Sequence, residues 1–583
     1  MSERKPLSRR HFLKGTLLGL GVAGAPMLLA ACGGTPEPAA NNATSAPVGT
    51  NATTAPATDA ATSAPEAATS AVEPTAVQAA ESVDVTLRLT KTDNMVGPIP
   101  TQDEQDADAL MFGHAIAMQE WLDRNPGVKV EAIDRIEDPQ AFRTALVAGT
   151  GPSVFGFANA GRRNAIAQNI VAEVTDLVKQ YEIEQNLMDF ALPLYQAEQF
   201  SGKYYSVPGS ITAGQGIFYR RDIIQEKGLE EPKLGWTWDD LRTLAKALTD
   251  DKMKGIALDS WAIGAAINAN MSESLLSKVP APSTGWNWKY DFTTNAADWE
   301  KSITRYRAMI DEDQSVITAQ DKGWGSFQAV DQGAAAMGNG GQFVFSWGFA
   351  NIAKELGKPA DEVIGYAPWP NGDRGNTNEM SRPEVLTSAF SVDLDSAGLA
   401  KIFDLFNYMV YGEGFTRKRV EAYNKSKDPA FAYDSRVPLA KNWAGQIGDI
   451  KGSVAEAVGP KFIETLNQMM TIPAVPQEAL FLPGEETAGP SRDAWNQATT
   501  GWTFGADKAV GKYDVAADLK TLEETMNQQA NGFTSSIDDA EFTEAAKKYY
   551  AAHDAFWKEN APKFHEEVYS PWYNEKVLPE LGG

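Results

Sequence analysis

A single cysteine in 583 residues, Cys32, removes internal disulfides from the means by which this chain can hold itself together. Its fold must rest on hydrophobic cores, and the chain is long enough for more than one domain. Only a stretch with patterned apolar residues can supply such a core. That requirement divides the sequence near residues 31 and 82.

The first stretch, 1–31, holds "SRRHFLK" at 8–14, an apolar run at 15–29, and "LAAC" ending at Cys32. As a helix the run would span roughly 23 Å at 1.5 Å per residue, short of the roughly 30 Å hydrocarbon core of a bilayer. A basic start, a short apolar centre and small residues at its end describe an export signal. "SRRHFLK" resembles the twin-arginine export motif through Ser8, Arg9, Arg10, Phe12, Leu13 and Lys14, and "LAAC" resembles a bacterial lipobox. The two resemblances imply cleavage before Cys32, a lipid on its sulfur, and an extracytoplasmic protein anchored to the cell membrane. "GLGVAG", 19–24, matches a dinucleotide-binding pattern, but it lies in the segment to be removed and outside any strand–helix unit. Removing the leader's net +4 (Arg4, Lys5, Arg9, Arg10 and Lys14 against Glu3) takes the net charge from −25 to −29. A surface so acidic repels nucleic acid.

Residues 32–82 are Ala, Thr, Pro and Ser with scattered acids, too poor in apolar residues to offset the entropy of ordering. They read as a tether with a reach of roughly 40 Å as a coil and about 150 Å when extended.

From residue 83 the pattern changes. "VDVTLRLT" alternates as a strand does, and "ALMFGHAIAMQEWLDRNPG" reads as a helix with Leu110, Ala117, Trp121 and Leu122 near one face. The acids of "QDEQDAD" before it lack the Gly and closing Glu of a calcium loop and read as a solvated helix start. "VKVEAI" is the next strand and "PQAFRTALVAG" the next helix, an alternation that predicts an α/β fold with parallel pairing. In "GWTWDDLRTLAKAL", Thr237 and Asp240 predict a capping box, and Trp238 reads as a packing residue.

Several segments in order resemble the family 1 extracellular solute-binding proteins, receptors of ABC importers that often carry sugars. They are "ALVAGTGPSVFGF" (145–157), "NIVAEVTDLV" (169–178), the long stretch 201–258 with "GKYYSVP" and "TWDDL", "FQAVDQGAAAMGNGGQFVF" (327–345) and "IGYAPWPNGDRG" (364–375). Ser153 and Arg220 depart from the family's usual Asp and Asn. The resemblance implies two α/β lobes of the periplasmic-binding-protein type, joined by hinge crossings, with the ligand in the cleft between them. The expected division is 83–209 with 387–476 for lobe 1, and 210–386 with 477–583 for lobe 2, the latter ending in a helical extension. "PGSITAG" (208–214) and "EVLTSAF" (384–390) are the expected crossings.

A sugar offers apolar C–H faces and a belt of hydroxyls, so its site needs aromatic faces and side-chain donors and acceptors. Alignment with the family's cleft segments nominates Asp93, Asn94, Phe157, Asn159, Thr212, Trp261, Asn339, Gln342, Phe343 and, as a late lid, Trp495. The implied partners are a sugar or oligosaccharide and a membrane permease, with a monomer expected and no cofactor or metal.

Enzymatic motifs are missing. Beyond the leader the histidines are His114, His553 and His565, without H-E-x-x-H, G-x-S-x-G or a cysteine pair. His553 shares a helical stripe with Phe542, Ala546, Tyr549 and Phe556 and reads as packed. Paired acids leave open a secreted carbohydrate-cleaving enzyme, and a receptor for peptide, polyamine or ferric ion is a further alternative. Cys32→Ser is expected to move the protein from the membrane fraction to the soluble one without changing its ligand affinity. Arg9→Lys with Arg10→Lys should instead leave unprocessed precursor inside the cell. Retention of the serine variant in membranes after a high-salt wash counts against the lipid anchor.

Overall fold

The strand–helix alternation read from residue 85 onward forms. The computed structural model describes residues 84–91, 95–157, 165–166, 168–189, 191–196, 198–199, 202–212, 214–259, 261–272, 279–280, 288–318, 326–341, 356–358, 360–426, 441, 460–476, 489–530 and 540–582. Its strands are β1 (Val85–Thr90), β2 (Val128–Ile133), β3 (Val154–Phe157), β4 (Val207–Thr212), β5 (Gln215–Arg220), β6 (Lys254–Leu258), β7 (Val279–Pro280), β8 (Trp288–Lys289), β9 (Val316–Thr318), β10 (Ala335–Gly341), β11 (Ile364–Pro368) and β12 (Glu384–Phe390).

Local chemistry sets the helices. Helix Ala109–Arg124 buries Ala117, Met118 and Trp121 and stops at Asn125. The acidic run before it makes its own short helix, Gln102–Ala107, closed by a Thr101–Glu104 capping box. Helix Trp238–Leu248 begins at the predicted box, in which Thr237 accepts from the Asp240 N–H and Asp240 accepts from the Thr237 N–H. Leu241, Ala245 and Leu248 line its buried side, and Trp238 stacks on Trp369 with ring centres 6.0 Å apart.

The sheets divide the molecule into two lobes. One lobe holds the parallel pair β1–β2 and the three-stranded sheet β3–β12–β4; the other holds the five-stranded sheet β11–β5–β10–β6–β9. Ser153 joins β1 to β3: its N–H donates to the Arg88 carbonyl at 2.8 Å, and its hydroxyl accepts from the Arg88 N–H at 2.9 Å. Pairing is less parallel than the alternation suggests. β1–β2, β6–β9 and β6–β10 run parallel, whereas β5–β10, β5–β11, β3–β12 and β4–β12 run antiparallel. The cause is connectivity. β4 leads directly into β5 in the other sheet and β12 returns from it, so these strands meet their neighbours without the helical crossover that parallel pairing requires.

Both faces of the five-stranded sheet are covered, and its side chains alternate accordingly. Phe218, Ala257, Ala335, Ile364 and Tyr366 join a cluster that also contains Leu87, Leu89, Trp121, Phe390 and Phe406. Ile217, Tyr219, Ile256, Leu258 and Ala367 belong to a second cluster, with Leu241, Trp299, Trp502, Tyr550 and Trp572. Helices Gly489–Phe504, Val515–Ala530 and Ala540–Asn560 contribute to this second cluster. Asn527 exchanges two hydrogen bonds with the backbone of Tyr290, and Glu523 accepts from the N–H groups of Phe292 and Thr293. No helix among the described residues is long and apolar enough to cross a membrane.

Two histidines are sealed inside. His114 faces the Gly97 carbonyl at 2.9 Å, and burial, helped by Lys418, pushes its pKa down to about 3. Burial likewise brings His553 down to about 4. Since the unfolded chain protonates its histidines near 6.5, it takes up protons first, and stability is lost as pH falls from that value. Each such group costs about 1.4 kcal/mol per pH unit until its folded pKa is reached. Urea titrations should therefore show His114→Gln losing about 3 kcal/mol less stability than the parent between pH 6.5 and pH 4. Equal losses would mean that His114 is already charged in the folded protein.

Candidate functional site

The chain changes sheets just after Thr212, the last residue of β4, and joins β5 at Gln215. Between them Gly214 adopts φ +90°, a conformation open to glycine and strained for other residues. Its surroundings are as restrictive as its dihedral. A Cβ on Gly214 would lie 2.5 Å from the Ser381 carbonyl carbon and oxygen and 2.6 Å from the Arg382 oxygen. Ser381 and Arg382 belong to the segment that carries the chain back toward β12. The two connections between the lobes thus touch main chain to main chain.

Two hydroxyls fasten this contact. Ser381 Oγ accepts from the Trp369 N–H at 2.6 Å and donates to the Gln215 carbonyl at 3.0 Å. Tyr366 Oη lies 2.9 Å from the Gly340 carbonyl and 3.2 Å from that of Gly214, and shares its one proton between them. Burial pushes the Tyr366 phenol well up, so it stays a donor.

The segment between β11 and β12 is held by asparagines. Asn376 donates to the Ala269 carbonyl and Asn378 to that of Ala265, while Asn268 accepts from the Glu379 N–H. All three are buried. Gly372 sits against the Ala269 oxygen with no room for a side chain. Arg305 and Lys301 pair with Asp373, and Arg374 bridges Asp298 and Glu567. Sequence reading assigned no role to Tyr366, Ser381, Asn376 or Asn378; the only local signal is the density of Gly, Asn and Asp in "NGDRGNTN".

Three nominated residues converge near the sheet change. Asn339, buried in β10, accepts on its side-chain oxygen from the Asp259 N–H at 3.2 Å, and Asp259 lies two residues before Trp261. Trp261 opens helix Trp261–Asn270. The Asn339 carbonyl accepts from Ser326 Oγ at 2.6 Å, and the next carbonyl, Gly340, is the one Tyr366 ties to Gly214, two residues from Thr212. Phe157 ends β3 in the other lobe, level with Thr387 of β12. Trp495 is half-buried and packs with Phe292, Trp299 and Trp502, its ring centre 5.9 to 6.2 Å from theirs. Cys32, Asp93, Asn94, Asn159, Gln342 and Phe343 lie outside the described residues. The described residues contain no cluster of three or more side chains that could hold a metal ion.

A cavity of about 320 Å³ opens elsewhere, along the outer edge of β11, lined by Tyr219, Arg221, Glu231, Lys461 and Glu464 among others. Its Arg221 is already committed to Glu231 at 2.7 Å and to the Asp361 and Ile364 carbonyls. A floor so satisfied offers a ligand little, and the strand ends beside Gly214 are the better candidate.

The sequence profile of the bacterial extracellular solute-binding proteins matches residues 113–410, more than half of the chain. The chain belongs to this family. No curated protein sequence matches it. Among solved structures, an ABC substrate-binding protein from Listeria monocytogenes in complex with cycloalternan aligns with TM-score 0.50 at 16% identity, over 78% of this chain and 100% of its own. The GacH receptor of Streptomyces glaucescens, solved unliganded and with acarbose, aligns with TM-score 0.50 at 13% identity, over 77% and 100%. UgpB from Mycobacterium tuberculosis, in complex with glycerophosphocholine, gives 0.50 at 15% identity, over 77% and 98%. The family is one of binding proteins, and these structures share its two-lobe fold.

The contact at Gly214 is testable against an internal control. Gly228 also has positive φ (+66°), but open space surrounds its Cβ position. Gly228→Ala should cost about 1 kcal/mol, the price of the left-handed conformation alone. Gly214→Ala should cost at least 2 kcal/mol more, because the methyl group collides with main chain. Denaturant titrations giving equal losses would remove the close approach of the two connections.

Proposed function

We propose that the protein is the substrate-binding receptor of an ABC importer, that it captures a carbohydrate of oligosaccharide size by closing its lobes, and that a lipid on Cys32 holds it at the cell membrane. The observation that carries this reading is the sheet change at Gly214, where two connections meet through main chain near Thr212 of β4, Asn339 of β10 and Trp261 at the start of helix Trp261–Asn270. Ligand contacts are assigned to these three and to Asp93, Asn94, Phe157, Asn159, Gln342 and Phe343, which bring both hydrogen-bonding groups and aromatic rings. Trp495 is assigned to its aromatic cluster.

Two of the similar structures support a sugar, being complexes with cycloalternan and acarbose. The glycerophosphocholine complex marks the competing chemistry, a charged small solute. An acidic surface does not decide between them, since a local site can carry either sign.

Closure follows from differential affinity. A ligand moves a two-state equilibrium from 1:99 to 99:1 if it prefers the closed form by about 5.5 kcal/mol, within reach of a cleft that grips from both sides. Thermal shift with α-glucan and chitin oligomers should find at least one stabiliser, worth about 2.7 kcal/mol at a hundredfold excess over Kd. That sugar should be recovered intact and should shrink the radius of gyration in solution scattering. Phe343→Ala should weaken its binding more than tenfold while leaving the ligand-free melting temperature in place. Cleaved sugar would indicate an enzyme. Stabilisation by glycerophosphodiesters alone would replace the carbohydrate, and an unchanged radius at saturation would defeat the closure mechanism.

A further inference from the structure

Four strands of the larger sheet, β6, β9, β10 and β11, end on the side where β5 begins. Gln215, the first residue of β5, pairs with Gly341, the last of β10, and Gly216 pairs with Pro368, the last of β11. β6 runs parallel to β10 and β9, and its last residue, Leu258, pairs with Thr318, the last of β9. The crevice outside such carboxyl ends is where open α/β sheets take their ligands. Asn339 stands two residues from the end of β10, and Asp259 directly follows β6.

The bond between these two residues fixes the polarity of the Asn339 amide. The Asp259 N–H can only donate, so the group it meets at 3.2 Å is the amide oxygen. The NH2 beside that oxygen is turned away from Asp259 with its hydrogens to give. Asn339 is 7% exposed, and among the described residues no group accepts from this NH2. A donor so deeply buried calls for an acceptor. The same point is the start of helix Trp261–Asn270, where the helix dipole presents its positive end. Ser326 steadies the residue from its main chain, its hydroxyl donating to the Asn339 carbonyl at 2.6 Å. The NH2 is what the fold leaves uncommitted.

We propose that Asn339 reads the ligand as a donor: its NH2 hydrogen-bonds an oxygen of the bound solute, and the Asp259 main chain holds the amide in that sense. For the identity of that oxygen, a hydroxyl or ring oxygen of a sugar, the inference rests on the carbohydrate reading of the cleft; for its polarity it does not. A protonated amine cannot accept, so a polyamine finds no partner at this point.

Two variants separate the two ends of the amide. Asn339→Asp keeps an oxygen for the Asp259 N–H, at a helix start that favours its charge, and replaces the donor by an acceptor. Asn339→Ala removes both ends. In the ligand-free protein, hydrogen exchange at the Asp259 amide should rise at least tenfold in Asn339→Ala and stay near the parent's in Asn339→Asp. Calorimetric titration then uses maltotriose, chitotriose, glycerophosphocholine and spermidine. Whichever oligomer the parent binds should bind both variants at least tenfold more weakly. If glycerophosphocholine binds the parent and neither oligomer does, the carbohydrate reading fails. The donor stands in that case if both variants lose the same tenfold, a phosphate oxygen taking the place of the sugar's. Affinity kept in Asn339→Asp would mean that the ligand is read by an acceptor, and affinity kept in Asn339→Ala that Asn339 does not touch it. Equal exchange at Asp259 in all three proteins would mean that nothing fixes the amide. Each of these results overturns the proposal, as does a parent that binds spermidine alone. Where Asn339→Asp does not fold, Asn339→Ala decides by its exchange and its affinity.

Discussion

The absence of a side chain at Gly214 is the condition on which the architecture depends. A chain that leaves one sheet at Thr212 and enters another at Gln215 has two residues between them in which to change sheets. It does so by a left-handed turn and by touching the returning chain at Ser381 and Arg382. Everything downstream follows from that contact. It brings β5 into the five-stranded sheet antiparallel to β10 and β11, and it sets β4 beside β12 in the other lobe. At this contact the two connections meet through main chain, hydroxyls and small residues.

A pivot is useful only if what it joins is stiff, and the loop between β11 and β12 shows how stiffness is obtained. Buried Asn268, Asn376 and Asn378 bind backbone groups across the loop and helix Trp261–Asn270, and hydrogen bonds of this kind contribute about 1 kcal/mol each. Their geometry matters more than their sum: removing one partner leaves a buried polar group bare, so the loop and helix move together or not at all. The Arg305–Asp373 and Arg374–Asp298 pairs add to this, and because they are only 12 to 21% exposed they are screened less than ordinary surface pairs.

What could be read from the sequence was what is local. The capping box at Thr237 and the stop after Arg124 depend on neighbours within a turn of helix, and the burial of Trp238 and His553 follows the apolar stripe of their own helices; all appear as read. "PGSITAG" also contains the point where the chain leaves its first sheet, because small residues and a glycine are a local requirement of such a turn. The mixed pairing was not legible, since strand direction depends on which lobe a strand returns to. Nor were Tyr366, Ser381 and the asparagines. Their partners lie more than 100 residues away in several cases, as for Asn376 with Ala269 and Asn378 with Ala265, and nothing in a local window distinguishes them from turn residues. Thr212, Trp261 and Asn339 were nominated through family likeness, and their convergence at the sheet change is a property of the fold that no spacing in the sequence reveals.

The histidines bear on the choice between capture and catalysis. His114 and His553 each face one backbone carbonyl and are driven to the neutral state by burial, away from solvent. His565 is engaged by Asp554 on the C-terminal helices. Among the described residues near the lobe connections, Asp373 pairs with Arg305 and Lys301, and Glu379 and Glu384 pair with Arg382. Against the opposing effect of burial, Arg305 and Lys301 hold the Asp373 carboxyl below the usual carboxylate range, which makes it a poor general acid. Binding makes no such demand. It asks for groups held in place and a path for the solute, and the pairs that occupy these carboxylates also fix the loop between β11 and β12 to its lobe.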